Sequence, residues 1–167
     1  MISNQSTLTK STYLTFKLGR EFFASDVGKV LNILEMTQIT EVPMAPSYMK
    51  GVINLRGTVL PVIDTRIKFG MSETEITPGT AILVLNVNVS GHETKLGALV
   101  DEVDEVIELE VKDIQDLPEI GTKYKSEFIA GMAQKELGFI MILNMDKVFS
   151  KEEIVQLNEL KKENQTV

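Results

Sequence analysis

Cysteine and tryptophan are absent from this 167-residue chain, and there is one histidine. Without cysteine there can be no disulfide, no thiol nucleophile and no thiolate metal site, and such usage fits a reducing compartment. His92 falls in the turn Ser90-Gly91-His92, away from any Ser-His or Asp-His spacing. A solvated turn residue is therefore favoured over a general base or a ligand, and zinc would need several His or Cys partners. Neither GxxxxGK[ST] nor GxGxxG occurs, so nucleotide chemistry has no seat and no cofactor is implied. Long apolar runs are missing too. Residues 81–85 and 138–143 are the longest, far below the roughly 20 needed to span a bilayer. Residues 1–10 are polar and lack the apolar stretch of a signal peptide. Positive charge is in deficit: 17 Lys and Arg against 24 Asp and Glu give a net charge of -7. A phosphate backbone or an anionic bilayer would repel that surface, and 6% aromatics leave little for a base-stacking groove. The expectation is a cytoplasmic protein, without nucleic acid or direct membrane insertion, that reaches a membrane only through a partner.

What is present is mostly short strands. Residues 1–11 read as a loose polar tail. In residues 13–18, Leu14, Phe16 and Leu18 alternate with Tyr13, Thr15 and Lys17, the period of a half-buried strand. Gly19-Arg20 turns the chain, and residues 21–25 return. Asp26 can cap a short helix with Val27, Val30, Leu31 and Leu34 at i, i+3, i+4, i+7, and residues 47–50 suggest one helical turn. Strands are predicted over 51–55 and 58–64 around an Arg56-Gly57 turn. Pro61 cannot donate to a ladder, so its strand should lie at an edge or carry a bulge. A short helix or turn follows over 64–69. A long hairpin (81–89 and 93–103), an alternating strand (106–111, with Ile107, Leu109 and Val111 on one face), a loop (117–125) and a last hairpin (128–132 and 139–144) complete the strands. Ser150 and Glu153 make a capping box for a helix over 151–163, with Ile154, Leu157 and Leu160 as its apolar edge. Antiparallel strands joined by Gly-centred turns argue for small barrels or a sandwich.

Residues 101–119 hold nine carboxylates against Lys112 alone. Their spacing does not match a calcium loop, and a solvated strand face is favoured over paired acids for hydrolysis. Steering of a basic partner is the functional alternative. Met36, Met44 and Met49 cluster near Pro43 and Pro46, fitting core gaps first and an adaptable surface second.

The run Lys50-Gly51-Val52-Ile53-Asn54-Leu55-Arg56-Gly57-Thr58-Val59-Leu60-Pro61-Val62-Ile63-Asp64 carries the most information. Ile53 and Leu55 point one way, Asn54 and Arg56 the other. Gly57 allows a tight turn and holds Arg56 at the mouth of a hairpin, where its guanidinium can bond a partner's carboxylates or carbonyls.

GVINLRGTVLPVIDTRIKFG closely resembles the signature of the chemotaxis coupling protein family, CheW. The similarity extends from the opening hairpin through residues 28–46, Gly97-Ala98-Leu99-Val100-Asp101, Leu117-Pro118-Glu119 and Phe128-Ile129-Ala130-Gly131 to the final strand and helix, about nine-tenths of the chain. The resemblance implies an all-β fold with short helices: two packed SH3-like five-stranded barrels over residues 12–150, then a C-terminal helix and tail over 151–167. It implies no enzymatic activity. The expected role is an adaptor joining chemoreceptor cytoplasmic tips to the regulatory domain of the chemotaxis histidine kinase in membrane-associated arrays. By position, Asn54, Leu55, Arg56 and Gly57 take the family's characteristic turn, with Val27 and Val30 lining a receptor- or kinase-binding surface. Pro118, Glu119 and Ile120 match a second kinase contact. Leu31 and Asn32 replace a polar pair common in the family, and Ile120 stands where a large aromatic is common. Arg56 is expected to order the turn and to contact a receptor helix end or the protein's own seam. Competing readings are a coupling paralogue in a pilus or surface-sensing pathway, a small acid-using enzyme and a nucleic-acid binder.

Overall fold

The computed structural model describes residues 10–117, 127–136 and 138–165. Ten strands form two five-stranded sheets. They are β1 (Lys10–Leu18), β2 (Glu21–Asp26), β3 (Val30–Glu35), β4 (Met49–Leu55), β5 (Thr58–Asp64), β6 (Ala81–Val89), β7 (His92–Val100), β8 (Glu102–Glu110), β9 (Ile129–Lys135) and β10 (Gly138–Leu143). The first sheet runs β8-β1-β2-β10-β9, and the second β3-β6-β7-β5-β4. In each, three antiparallel strands meet a hairpin through one parallel pairing, β2 with β10 and β7 with β5. Counted from β8 round through the N-terminus, both sheets have the strand order 1-4-5-3-2. The two units are thus one topology used twice. The second is continuous in sequence, and both ends of the chain build the first around it.

Period-two patterning produces three cores. Ile53, Leu60, Val62, Ile82, Val84 and Leu99 fill the inside of the second unit. Ala24, Ala133, Ile140 and Ile142 fill the first, with Tyr13, Phe22, Ile107 and Leu109 packed against them. The opposite faces of β1 (Leu14, Phe16, Leu18) and of β6 (Leu83, Leu85, Val87) meet in a third and larger core between the units. A strand such as β6 is therefore buried on both faces, which explains its nearly continuous apolar sequence. The fold is two packed SH3-like barrels sharing an apolar seam. The C-terminal helix Lys151–Gln165 closes that seam with Ile154 and Leu157. Its capping box forms as expected, with the Glu153 amide donating to Ser150 Oγ (3.1 Å) and the Ser150 amide donating to Glu153 Oε1 (2.8 Å).

Several local expectations are corrected. The helix expected after Asp26 is a single 3-10 turn, Val27–Lys29, followed by strand β3. Asp26 does cap it, accepting the Gly28 amide at 2.7 Å. Val30 and Ile33 are β-branched, and an open edge of β6 was available, so cross-strand pairing outweighs the helical spacing. Residues 47–48 form a turn in which the Met49 amide donates to Pro46 O (2.9 Å) before β4 begins, not a helical turn. Pro61 is not on an edge strand, since β5 lies between β4 and β7, and the bulge of its pairing with β4 falls in β4, between Met49 and Gly51. Its missing donor is tolerated because pairing with β7 starts only at Val62. The strand expected over 93–103 breaks at Asp101, where the chain leaves β7 and re-enters as β8. Val111 lies beyond that strand in a 3-10 turn and is exposed, not aligned with Ile107 and Leu109.

Candidate functional site

The informative run folds into an outward half and an inward half. In the outward half, the β4–β5 hairpin closes with Arg56 (φ 53°) and Gly57 (φ 84°) as its two central residues. Two left-handed residues make the primed turn that matches the twist of paired strands. Asn54 Oδ1 accepts the Gly57 amide at 2.8 Å and locks the turn from outside. A left-handed Arg costs on the order of 1 kcal/mol. Among the described residues its guanidinium makes no hydrogen bond or ion pair, so Arg56 does not reach the protein's own seam. Leu55 packs on the core of the second barrel, while Asn54, Arg56 and Gly57 face solvent.

A groove of about 230 Å³ opens beside this turn, lined by Leu31, Asn32, Leu55, Arg56, Thr58, Leu60, Val84 and Lys95. β3 supplies its rim. Leu31 is the extra residue of a bulge between Val30 and Asn32, and 50% of it stays exposed. Leu31 and Asn32 thus stand at the same groove as the Asn54–Gly57 turn.

Val27 and Val30 belong to a second surface. Leu14 pairs with Ser25 on β2 and with Val106 on β8, so the three share the seam face of the first sheet. Leu14 is buried, but Val106 beyond it is 58% exposed, and Val27, two residues after Ser25, is 40% exposed. Val30 packs against the seam core. Exposed Val106 and Val27 therefore flank the rim of the seam, with buried Leu14 and Ser25 between them. Sequence reasoning missed Val106 because it sits among carboxylates. The signal that could have found it was an apolar residue adjacent to Ile107, out of phase with the buried alternation. Pro118, Glu119 and Ile120 lie outside the described residues.

The inward half of the run is structural. The Asp64 carboxylate is fully buried. It accepts the Arg66 amide (3.1 Å), the Thr74 amide (3.0 Å) and the Thr74 hydroxyl (2.7 Å), capping the short helix Thr65–Lys68. Arg66 reaches from that helix to Asp101, with Nε 3.0 and 2.9 Å from the two carboxylate oxygens and an Nη 2.6 Å from one of them. Asp101 also accepts the Gly19 amide at the β1–β2 turn. One carboxylate thereby ties the turn of the first barrel to the helix of the second. Lys68 makes a similar tie to Glu153 at 2.6 Å while lying over the Tyr48 and Phe149 rings. Burial, reinforced by the nearby Glu153 charge, pushes the Tyr48 hydroxyl up to about 12.

The acidic stretch is accordingly more than a solvated face. Besides Asp101, Asp104 bonds Lys135 and accepts the hydroxyl of buried Thr15 (2.9 Å) at the β1–β8 bulge. The Lys135 bond carries the Asp104 carboxyl below its usual range, against the opposing effect of burial. The three methionines also divide: Met49 is in the seam core, Met36 packs on the second barrel's core and Met44 is exposed. His92 is exposed at the start of β7.

Residues 12–153 match the CheW-like domain family model. A chemotaxis protein CheW from Klebsiella aerogenes is 30% identical over 90% of this chain and 88% of that protein. The crystal structure of a scaffolding protein, TtCheW from Thermoanaerobacter tengcongensis, superposes with a TM-score of 0.74 at 28% identity, covering 86% of this chain and 90% of the other. Protein PilI of Pseudomonas aeruginosa is 35% identical, but over only 38% of this chain and 34% of its own length. With a family match across nearly the whole chain and the same two-barrel architecture in a solved relative, this protein belongs to the CheW family of chemotaxis coupling and scaffold proteins.

Proposed function

We propose that this chain is a non-catalytic adaptor that couples chemoreceptor cytoplasmic tips to the regulatory domain of the chemotaxis histidine kinase. The observation that carries the reading is the turn Asn54–Gly57. It is locked by its own side-chain hydrogen bond and spends conformational strain on holding Arg56 outward, with no partner for the guanidinium among the described residues. The Asn88–Gly91 turn has the same left-handed pair and the same side-chain lock but presents only Ser90, so what supports a contact outside the chain is the exposed, unpaired guanidinium held beside the Leu31 groove. Val27, Val30 and Val106 supply a separate apolar surface, so two partners could be held at once. Reversible docking needs little more than apolar anchors and a few oriented polar groups, and signalling needs only a modest difference in affinity between two receptor states. The adaptor would be cytoplasmic and would meet the membrane through receptors. A coupler in a pilus pathway is the second reading, and the short PilI alignment favours it less than the full-length CheW alignments do.

The test is reconstitution. Purified kinase regulatory domain and a receptor-tip fragment should each bind the wild-type chain. An Arg56→Ala protein with an unchanged circular dichroism spectrum should lose receptor control of kinase activity. Normal coupling by that folded variant would reject the role given to Arg56. Failure of both fragments to bind the wild type would reject the adaptor reading.

A further inference from the structure

Charge is distributed unevenly over this acidic protein. Three other surface grooves all carry carboxylates. Glu108, Glu110 and Asp113 line one, Glu127, Asp146 and Glu153 a second, and Glu41 and Glu73 a third. The groove beside the Arg56 turn has none. Its charged residues are Arg56 and Lys95, and among the described residues neither is ion-paired. Lys29, Lys50, Arg66, Lys68, Lys112 and Lys135 have carboxylate partners. Other cations such as Lys10 and Lys147 are also unpaired among the described residues, but they line grooves that carry carboxylates, so the two cations here are set apart by sharing a groove without one. The floor between the two free cations is apolar, formed by Leu60 and Val84, and half-exposed Leu31 stands at the rim.

We infer that this groove takes a protein segment presenting an apolar side chain flanked by carboxylates. The apolar side chain would cover Leu31 over the Leu60–Val84 floor. The carboxylates would meet Arg56, whose planar fork suits bidentate pairing, and Lys95. Docking by side chains is favoured over extension of the sheet at β3, where the Ile33 amide already donates to Asn32 Oδ1 at 2.8 Å. This inference rests on the adaptor reading and specifies the chemistry of the partner surface at the turn.

The experiment measures binding of purified kinase regulatory domain and of a receptor-tip fragment to the full chain by calorimetry, between 50 and 500 mM NaCl. At least one fragment should bind more weakly as salt rises, since the contact is electrostatic. Lys95→Glu, on a regular strand away from the strained turn, should weaken that fragment about tenfold at 50 mM NaCl. Lys95→Glu combined with Arg56→Glu should weaken it further and abolish the salt dependence. Leu31→Asp should weaken it similarly. Circular dichroism melting confirms folding of each variant. If the wild type binds but folded Lys95→Glu and the double variant stay within twofold of it, the anionic-segment inference is overturned while the adaptor reading stands. If the chain instead self-associates, the same substitutions abolish self-association and neither fragment competes, the groove belongs to a second copy and the inference is likewise overturned. If neither fragment binds the wild type at any salt, the adaptor reading itself fails.

Discussion

The Arg66–Asp101 pair should hold the two barrels in register, and its contribution can be worked from the geometry. Three N–H···O contacts of 2.6–3.0 Å join the side chains, which are only 20% and 18% exposed. A hydrogen bond to a charged group contributes about 1.5–3 kcal/mol net. Breaking a fully buried pair costs about 3–5 kcal/mol, mainly because the abandoned charge stays desolvated. One-fifth exposure lets water reach the survivor, so the lower end applies. Asp101→Ala should cost about 2–3 kcal/mol, because it strands both the Arg66 guanidinium and the Gly19 amide. Arg66→Ala should cost about 2 kcal/mol, and the double variant less than the sum, with a coupling energy of about 1.5 kcal/mol. Asp101→Asn, which keeps an acceptor, should fall between. Since the chain has no tryptophan, urea unfolding followed by far-ultraviolet circular dichroism is the assay. Unchanged m-values would assign the loss to the folded state. A coupling energy below about 0.5 kcal/mol, the level of an exposed ion pair, would refute the claim that this carboxylate staples the barrels.

Two further outcomes follow from the same structure. Arg56→Asn should raise stability by about 0.5–1 kcal/mol, since Asn-Gly is the preferred pair for a primed two-residue turn, while weakening partner binding; a thermal melt and a binding titration on one sample separate the two effects. Acid should unfold the protein partly through Asp104 and Glu153. Both carboxyls lie below their usual range in the fold, Asp104 through Lys135, and Glu153 because bonds from Lys68 and Ser150 outweigh its burial. With folded values depressed, their stabilisation is present above the ordinary carboxylate range and is lost as pH falls through the folded values. Asp104→Asn and Glu153→Gln should each flatten the fall of unfolding free energy between about pH 5 and 3, measured by urea titrations at fixed pH.

Much of this protein was legible in its sequence. The hairpins around Gly19, Arg56-Gly57 and Gly91, the Ser150–Glu153 capping box and the all-β class all follow from local signals: period-two alternation, left-handed turn residues and side-chain caps act within a few positions. The same signals marked Asn54–Gly57 as an outward turn. Only tertiary structure decided that residues 30–35 form a strand, because β6 offered an unpaired edge some 50 positions away and cross-strand pairing outweighed a helical spacing interrupted by Gly28. It alone divided the acidic stretch into a structural tie at Asp101, a bulge contact at Asp104 and an exposed Val106 on the seam. It alone made Lys95 the companion of Arg56. Those relations join residues about 35 to 90 positions apart, and no local pattern records which distant strands will lie side by side.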